Sequence, residues 1–106
     1  MDAREIDQLF AVIASRKGGD PETSYTAKLF AKGRSKIAQK VGEEAVETVI
    51  AALAETPDSV IGESADLIYH LLVLWAECGI DPQLVWAELG RRAGTSGIAE
   101  KNSRKS

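Results

Sequence analysis

Two consecutive segments, KVGEEAVETVI from Lys40 and ESADLIYHLLVLW from Glu63, are apolar around most of a helical circumference. No other feature limits the fold as much. At about 100° per residue, Ile37, Val41, Ala45, Val49 and Ala52 form one stripe of the first helix. Val46, Ile50 and Leu53 carry the apolar arc past half of the circumference, leaving Lys40, Glu44 and Glu47 in the remaining sector. On the second helix Glu63, Asp66, His70 and Glu77 share a narrow stripe, and Ile68, Leu72 and Trp75 lie away from it. A helix that is apolar on most sides must be covered on most sides. A chain of 106 residues has few other faces to offer, chiefly Ile6/Leu9/Ile13 and Leu84/Val85/Leu89. The expected fold is therefore all-α, an antiparallel helical bundle completed by homodimerisation.

The rest of the chain supports this. Apolar/polar alternation persists nowhere between turn residues, so no strand is expected. The pattern predicts helices over about Arg4–Lys17, Ser35–Glu55, Asp58–Cys78 and from Pro82 to about Ala93. A shorter helix begins in DPETSYTAKLF, with Asp20 as its cap and Pro21 in its first turn. Gly33, TPDS and GIDP punctuate them. Residues 1–106 form one domain, with a helical core to residue 93 and a basic tail, 94–106, expected to be irregular or ordered only by contact. With 44% hydrophobic and 27% charged residues the chain has the composition of a folded domain. Its net charge of −3 argues against nucleic acid as a partner. No signal peptide is expected, nor a membrane partner, since ADLIYHLLVLWA is shorter than a span and holds Asp66 and His70. The lone Cys78 excludes an internal disulfide and is read as a small packed residue.

The acids carry the functional information. Between Val41 and Gly90 there are ten Asp or Glu and no Lys or Arg. Spacing of three places Glu44 over Glu47 and Glu63 over Asp66, each pair on one helix face, with Glu43 further round. Packed face to face, the two helices would bring four carboxylates together, each raising the others' pKa. A hard divalent cation removes that conflict, and all-oxygen ligation favours Mg²⁺ or Mn²⁺ over zinc. The same spacing also suits an ordinary solvated face. His70, four residues after Asp66, fits a hydrogen-bonded core histidine, a partner behind the ligands or a base. Tyr69, Trp75 and Trp86 fit packing, and Tyr25, in a polar stretch, is more suited to a ligand.

The bases are segregated. Lys28, Lys32, Arg34, Lys36 and Lys40 precede the acids, and residues 91–106 carry Arg91, Arg92, Lys101, Arg104 and Lys105 against Glu100. An acidic, metal-loaded floor with basic walls suits a polyphosphate. Lys28, Lys36 and Lys40 are placed to bind phosphate oxygens, with Arg91, Arg92, Lys101 and Arg104 as further candidates. Solubilising surface charge is the alternative.

Glu-Glu-x-x-Glu followed by Glu-x-x-Asp resembles the signature of the all-α, MazG-type nucleoside triphosphate pyrophosphohydrolases. Within them, SYTAKLFAKGRSKIAQKVGEEAVETVIAA, ESADLIYHLLVLW and the closing RRAGTSGIAEKNSRKS are similar to the phosphoribosyl-ATP pyrophosphohydrolase family, over nearly the whole chain from Ser24 onward. The resemblance implies Mg²⁺-dependent hydrolysis between the α and β phosphates of phosphoribosyl-ATP, the second step of histidine biosynthesis, by a cytoplasmic homodimer. It implies metal ligands at Glu44, Glu47, Glu63 and Asp66, with Glu43 orienting water or a neighbour. Two alternatives stand beside it: a house-cleaning hydrolase of other nucleoside triphosphates, and a helical dimerisation module whose acids are only surface.

Overall fold

A computed structural model describes residues 3–93 and 97–105. The described residues form six helices and no strand: α1 (Ala3–Ser15), α2 (Tyr25–Lys32), α3 (Arg34–Ala54), α4 (Pro57–Cys78), α5 (Pro82–Arg92) and α6 (Gly97–Lys105). The boundaries follow from capping chemistry. Thr56 accepts a hydrogen bond from the Ser59 amide and Pro57 occupies the first turn of α4, where its missing N–H costs nothing. Asp81 and Pro82 repeat this at α5. Gly33 has φ +95°, a conformation that strains any other residue, and so ends α2 and starts α3 without a linker.

Three expectations about the elements are corrected. Asp20 does not cap α2. Its carboxylate accepts from the Glu22 amide in a local turn, and Ser24 caps the helix by accepting from the Ala27 amide. Part of the tail is helical rather than irregular, because Ala99, Lys101 and Arg104 favour helix once a chain has turned into one. Cys78, at the end of α4, is exposed rather than packed.

The core is built by Ile13, Leu29, Phe30, Ile37, Leu72 and Val73, flanked by Ile6, Leu9, Phe10, Tyr69, Leu74 and Trp75. Each fully buried Ile, Leu or Val contributes about 1.5–3 kcal/mol relative to an exposed one. α3 packs chiefly against α4, and α1 covers another side of α4. Trp75 and Trp86 meet edge to face at 5.8 Å, and Gln83 and Trp86 both donate to Asp7, which ties α5 to α1.

Two faces differ from the wheel reading. Leu72, expected on an outer surface with Ile68 and Trp75, is core (1% exposed), because α1 lies over it. On α3 the fully packed positions are Ile37, Glu44 and Ala51, seven apart, so the seam runs through an acid and leaves Val49 and Ala52 outside. Val46, Val49, Ile50 and Leu53 on α3 and Ile61 and Ile68 on α4 stay exposed. α4 is also long and apolar enough, by length and composition alone, to cross a membrane, which the sequence reading had excluded.

Candidate active site

The rotation of α3 decides where the acids go. Because the packing seam passes through position 44, Glu44 points at α4 and is buried among the helices (7% exposed). From α4, Glu63 and Asp66 meet it. One oxygen from each of Glu44, Glu63 and Asp66 lies within 4.8 Å of the other two, the spread of atoms around a shared cation. Glu47, one turn along α3 and exposed, lies within electrostatic range of both Glu44 and Glu63. Of the four acids expected to converge, the structure groups Glu44, Glu63 and Asp66, with Glu47 exposed beside them.

Their electrostatics are unresolved by the protein. Oε2 of Glu44 and Oε2 of Glu63 are sealed from solvent and meet no hydrogen-bond donor. No Lys or Arg pairs with any of the four among the described residues, whereas Glu77 pairs with Lys17 at 3.3 Å and Glu88 with Arg91 at 2.7 Å. The neighbouring Glu47 carboxyl pushes the Glu63 carboxyl up to about 7, helped by burial and by Glu44. Burial, then the Glu47 and Asp66 carboxylates, push Glu44 upward too, while the neighbouring Glu63 carboxyl works against this. A buried acid lacking a donor must take a proton or a cation. These four share one proton poorly. The donor set, oxygen only and from carboxylates, fits Mg²⁺ or Mn²⁺.

Glu43 stands apart. It accepts from Gln39 at 2.8 Å and pairs with Lys40 at 3.3 Å, and these two contacts, in that order, hold its carboxyl below the usual range. Its effect is to place Lys40. The Lys40 ammonium is in turn held above its ordinary pKa, first by Glu43 and further by Tyr25 and Glu44. Lys36 also lies within electrostatic range of Glu43. Of the other candidate phosphate ligands, Lys28 is exposed on α2, and Lys101 and Arg104 are exposed on α6. Arg91 and Arg92 both clamp Glu88 on α5.

Behind the acids lies a pair of residues whose connection the sequence did not reveal. His70 is buried, with Nδ1 2.7 Å from the Asp66 carbonyl oxygen and Nε2 2.9 Å from the Tyr25 hydroxyl. Tyr69, read as packing, also bonds through its hydroxyl to Thr26. Tyr25 and His70 are 45 positions apart, and only the docking of α2 on α4 joins them. Asp66 also lines an apolar cleft of about 520 Å³ between α1 and α4, together with Ile6, Leu9, Ala65, Ile68 and Tyr69.

The phosphoribosyl-ATP pyrophosphohydrolase family model matches residues 6–93, which include every acid of the cluster. The chain belongs to this family. It is 69% identical over 103 residues to the phosphoribosyl-ATP pyrophosphatase of Paramagnetospirillum magneticum, covering 97% of this chain and 94% of that one. The Rhodospirillum rubrum protein of the same name is 66% identical, over 94% of this chain and 86% of its own. That of Azospirillum brasilense is 61% identical over the full chain and 96% of its own length.

Proposed function

We propose that the chain is a cytoplasmic phosphoribosyl-ATP pyrophosphohydrolase that cleaves between the α and β phosphates, releasing phosphoribosyl-AMP and pyrophosphate in the second step of histidine biosynthesis. The observation that carries the site is the cluster of Glu44, Glu47, Glu63 and Asp66, packed without a base and with two sealed oxygens lacking donors. These four would hold Mg²⁺, or Mn²⁺ in its place. A divalent cation there supplies charge for the phosphates and lowers the pKa of bound water.

The protein's own residues do the remainder. Lys40, fixed by Glu43 beside the acids, binds phosphate oxygens, and Lys36 adds charge on the same helix. Lys28, Arg91, Arg92, Lys101 and Arg104 form an outer basic shell for the remaining phosphates. A carboxylate of the cluster accepts the proton lost by the attacking water.

The working unit is an antiparallel bundle closed by a second copy. Val46, Val49, Ile50 and Leu53 form one exposed apolar strip along α3, with Ile61 and Ile68 exposed on α4. A strip of this kind is the signature of an obligate interface. Ile50→Asp is expected to give an inactive, loosened monomer, because burying the new charge costs several kcal/mol. Sedimentation of the wild type as a fully active monomer at micromolar concentration would exclude the dimer.

The activity is tested by comparing turnover of phosphoribosyl-ATP with that of ATP and dUTP, alongside calorimetric titration with Mn²⁺. Strong preference for phosphoribosyl-ATP and a saturable Mn²⁺ isotherm are expected. Equal turnover of ordinary triphosphates would point to a house-cleaning hydrolase, and absence of Mn²⁺ binding to a dimerisation module.

A further inference from the structure

The Tyr25–His70 pair is built to a degree that packing alone does not require. In the neutral imidazole one ring nitrogen carries the proton. The Asp66 carbonyl oxygen can only accept, so at 2.7 Å it fixes that proton on Nδ1. Nε2 is then an acceptor, and the Tyr25 hydroxyl must donate to it across 2.9 Å. The two rings stand edge to face, 5.9 Å between centroids, and Tyr69 packs on His70 in the same manner at 5.6 Å. His70 is buried and cannot turn to water for another partner. Tyr25, although its ring is half exposed, therefore has its hydroxyl proton committed inward.

What the hydroxyl oxygen then offers outward is lone pairs alone. The hydrogen-bonded path from Tyr25 through His70 to the Asp66 carbonyl places the hydroxyl beside α4 at that acid. Burial raises the Tyr25 pKa, the Lys40 ammonium works against this, and the Glu44 and Asp66 charges add to the rise. An oxygen with no free proton, set among carboxylates, repels them unless something with protons lies between. A phosphate oxygen has no proton to give, and the Lys40 ammonium, which has, is held by Glu43 at 3.3 Å. A water bound at the carboxylates can fill that role.

Resting on the metal-site reading above, we infer that Tyr25 is a positioning residue of the acid site. Its hydroxyl oxygen, oriented by His70 and the Asp66 carbonyl, accepts a hydrogen bond from a water held at the Glu44–Glu63–Asp66 cluster. The three-residue connection runs from the backbone of one cluster residue, through His70, to the atom that orients the water. α2 is thereby locked to the site through its first residue, with Ser24 capping the helix just before it.

The test is calorimetric titration of Mn²⁺ into wild type, Tyr25→Phe, His70→Asn and the double variant, with steady-state kinetics and metal-free melting of each. Tyr25→Phe keeps the ring and is expected to weaken Mn²⁺ binding roughly 10-fold, within the range for partners behind metal ligands. It should lower kcat with little change in KM, and lower the metal-free melting temperature modestly, because buried His70 Nε2 loses its donor. His70→Asn keeps a donor to the Asp66 carbonyl but removes the acceptor for Tyr25, so a smaller loss of the same kind is expected. The double variant should match Tyr25→Phe, because His70 acts through that hydroxyl. Wild-type Mn²⁺ affinity and kcat in Tyr25→Phe would overturn the inference, as would a rise in KM alone, which would place the hydroxyl on substrate. Additive losses in the double variant would break the connection through His70. A wild type that binds no Mn²⁺ would overturn both this inference and the metal site beneath it, whereas an unaffected Tyr25→Phe in a Mn²⁺-binding wild type overturns this inference alone.

Discussion

Glu63 on α4 and Glu88 on α5 are the same side chain in the same kind of helix, and the protein drives them in opposite directions. Arg91 at 2.7 Å and Arg92 at 3.0 Å pull the Glu88 carboxyl down to about 2. Glu47, then burial and Glu44, push the Glu63 carboxyl up to about 7. Both glutamates belong to the ten acids of the base-free stretch, but Glu88 sits at its edge, three and four residues before the arginines. Glu63 sits in its middle. An acid near a base makes a surface pair with modest energetic consequences. An acid gathered with others, with one oxygen sealed from water and no donor for it, is a group that could hold a cation.

The strongest test of that contrast is to neutralise the cluster. Glu47→Gln and Asp66→Asn should each abolish saturable Mn²⁺ binding. Each should also lower kcat by more than the roughly 10- to 100-fold that losing a residue behind the ligands costs. The metal-free variants should melt no lower than the metal-free wild type, since removing one of four repelling acids relieves strain. A variant that melted well below wild type with its activity intact would make the acids structural.

The next effect is on stability as a function of pH. Glu63 titrates at about 7 in the folded protein against an ordinary value of 4.5. A raised carboxyl binds its proton more tightly folded than unfolded, so it stabilises fully below about 4.5, and that stability is lost as pH rises to about 7. The metal-free protein should therefore melt at falling temperature across this window, and Glu63→Gln should flatten the curve. Saturating Mn²⁺ should remove the slope as well, with a proton released on binding at mildly acid pH. A melting temperature that rises across the window would show that the acids are not crowded.

How far the sequence exposed this contrast can be judged residue by residue. The helix ends at Gly33, Thr56–Pro57, Gly79 and Asp81–Pro82 were legible because capping is local chemistry. That Glu44, Glu63 and Asp66 come together was legible from their spacing and the missing bases. The exact face of α3 was not. A wheel places Val49 in the apolar stripe and Glu44 outside it, yet the seam follows Ile37, Glu44 and Ala51. Hydrophobicity alone cannot anticipate that an acid is buried for function. Asp20 and Ser24 compete for the start of α2 by similar chemistry, and only the turn geometry decides between them. The Tyr25–His70 bond depends on tertiary docking and leaves no trace in local pattern.

A smaller effect concerns the segregated bases. Residues 91–106 carry Arg91, Arg92, Lys101, Arg104 and Lys105 against Glu100, a net of +4. Deleting the residues after Ala93 should raise KM and weaken its dependence on salt while kcat changes less, because screened charges assist binding more than chemistry. An unchanged KM would show that α6 only solubilises the protein.

Glu88→Gln should have the least effect, and its value lies in where that effect falls. With a folded value of about 2 against an ordinary 4.5, Glu88 contributes stability that is present above about 4.5 and lost as pH falls toward 2. The variant should therefore lose stability relative to wild type at neutral pH by little, since both arginines remain solvated, and should converge with it in strong acid. This window lies on the other side of 4.5 from that of Glu63, so the two titrations are separable in one melting series. Mn²⁺ affinity should be unchanged, because Arg91 and Arg92 pair with Glu88 and, among the described residues, with none of the clustered acids. A Glu88→Gln variant that bound Mn²⁺ less tightly would mean that the freed arginines reach the cluster. The base-free surroundings of Glu44, Glu47, Glu63 and Asp66 would then depend on Glu88 holding those two cations on α5.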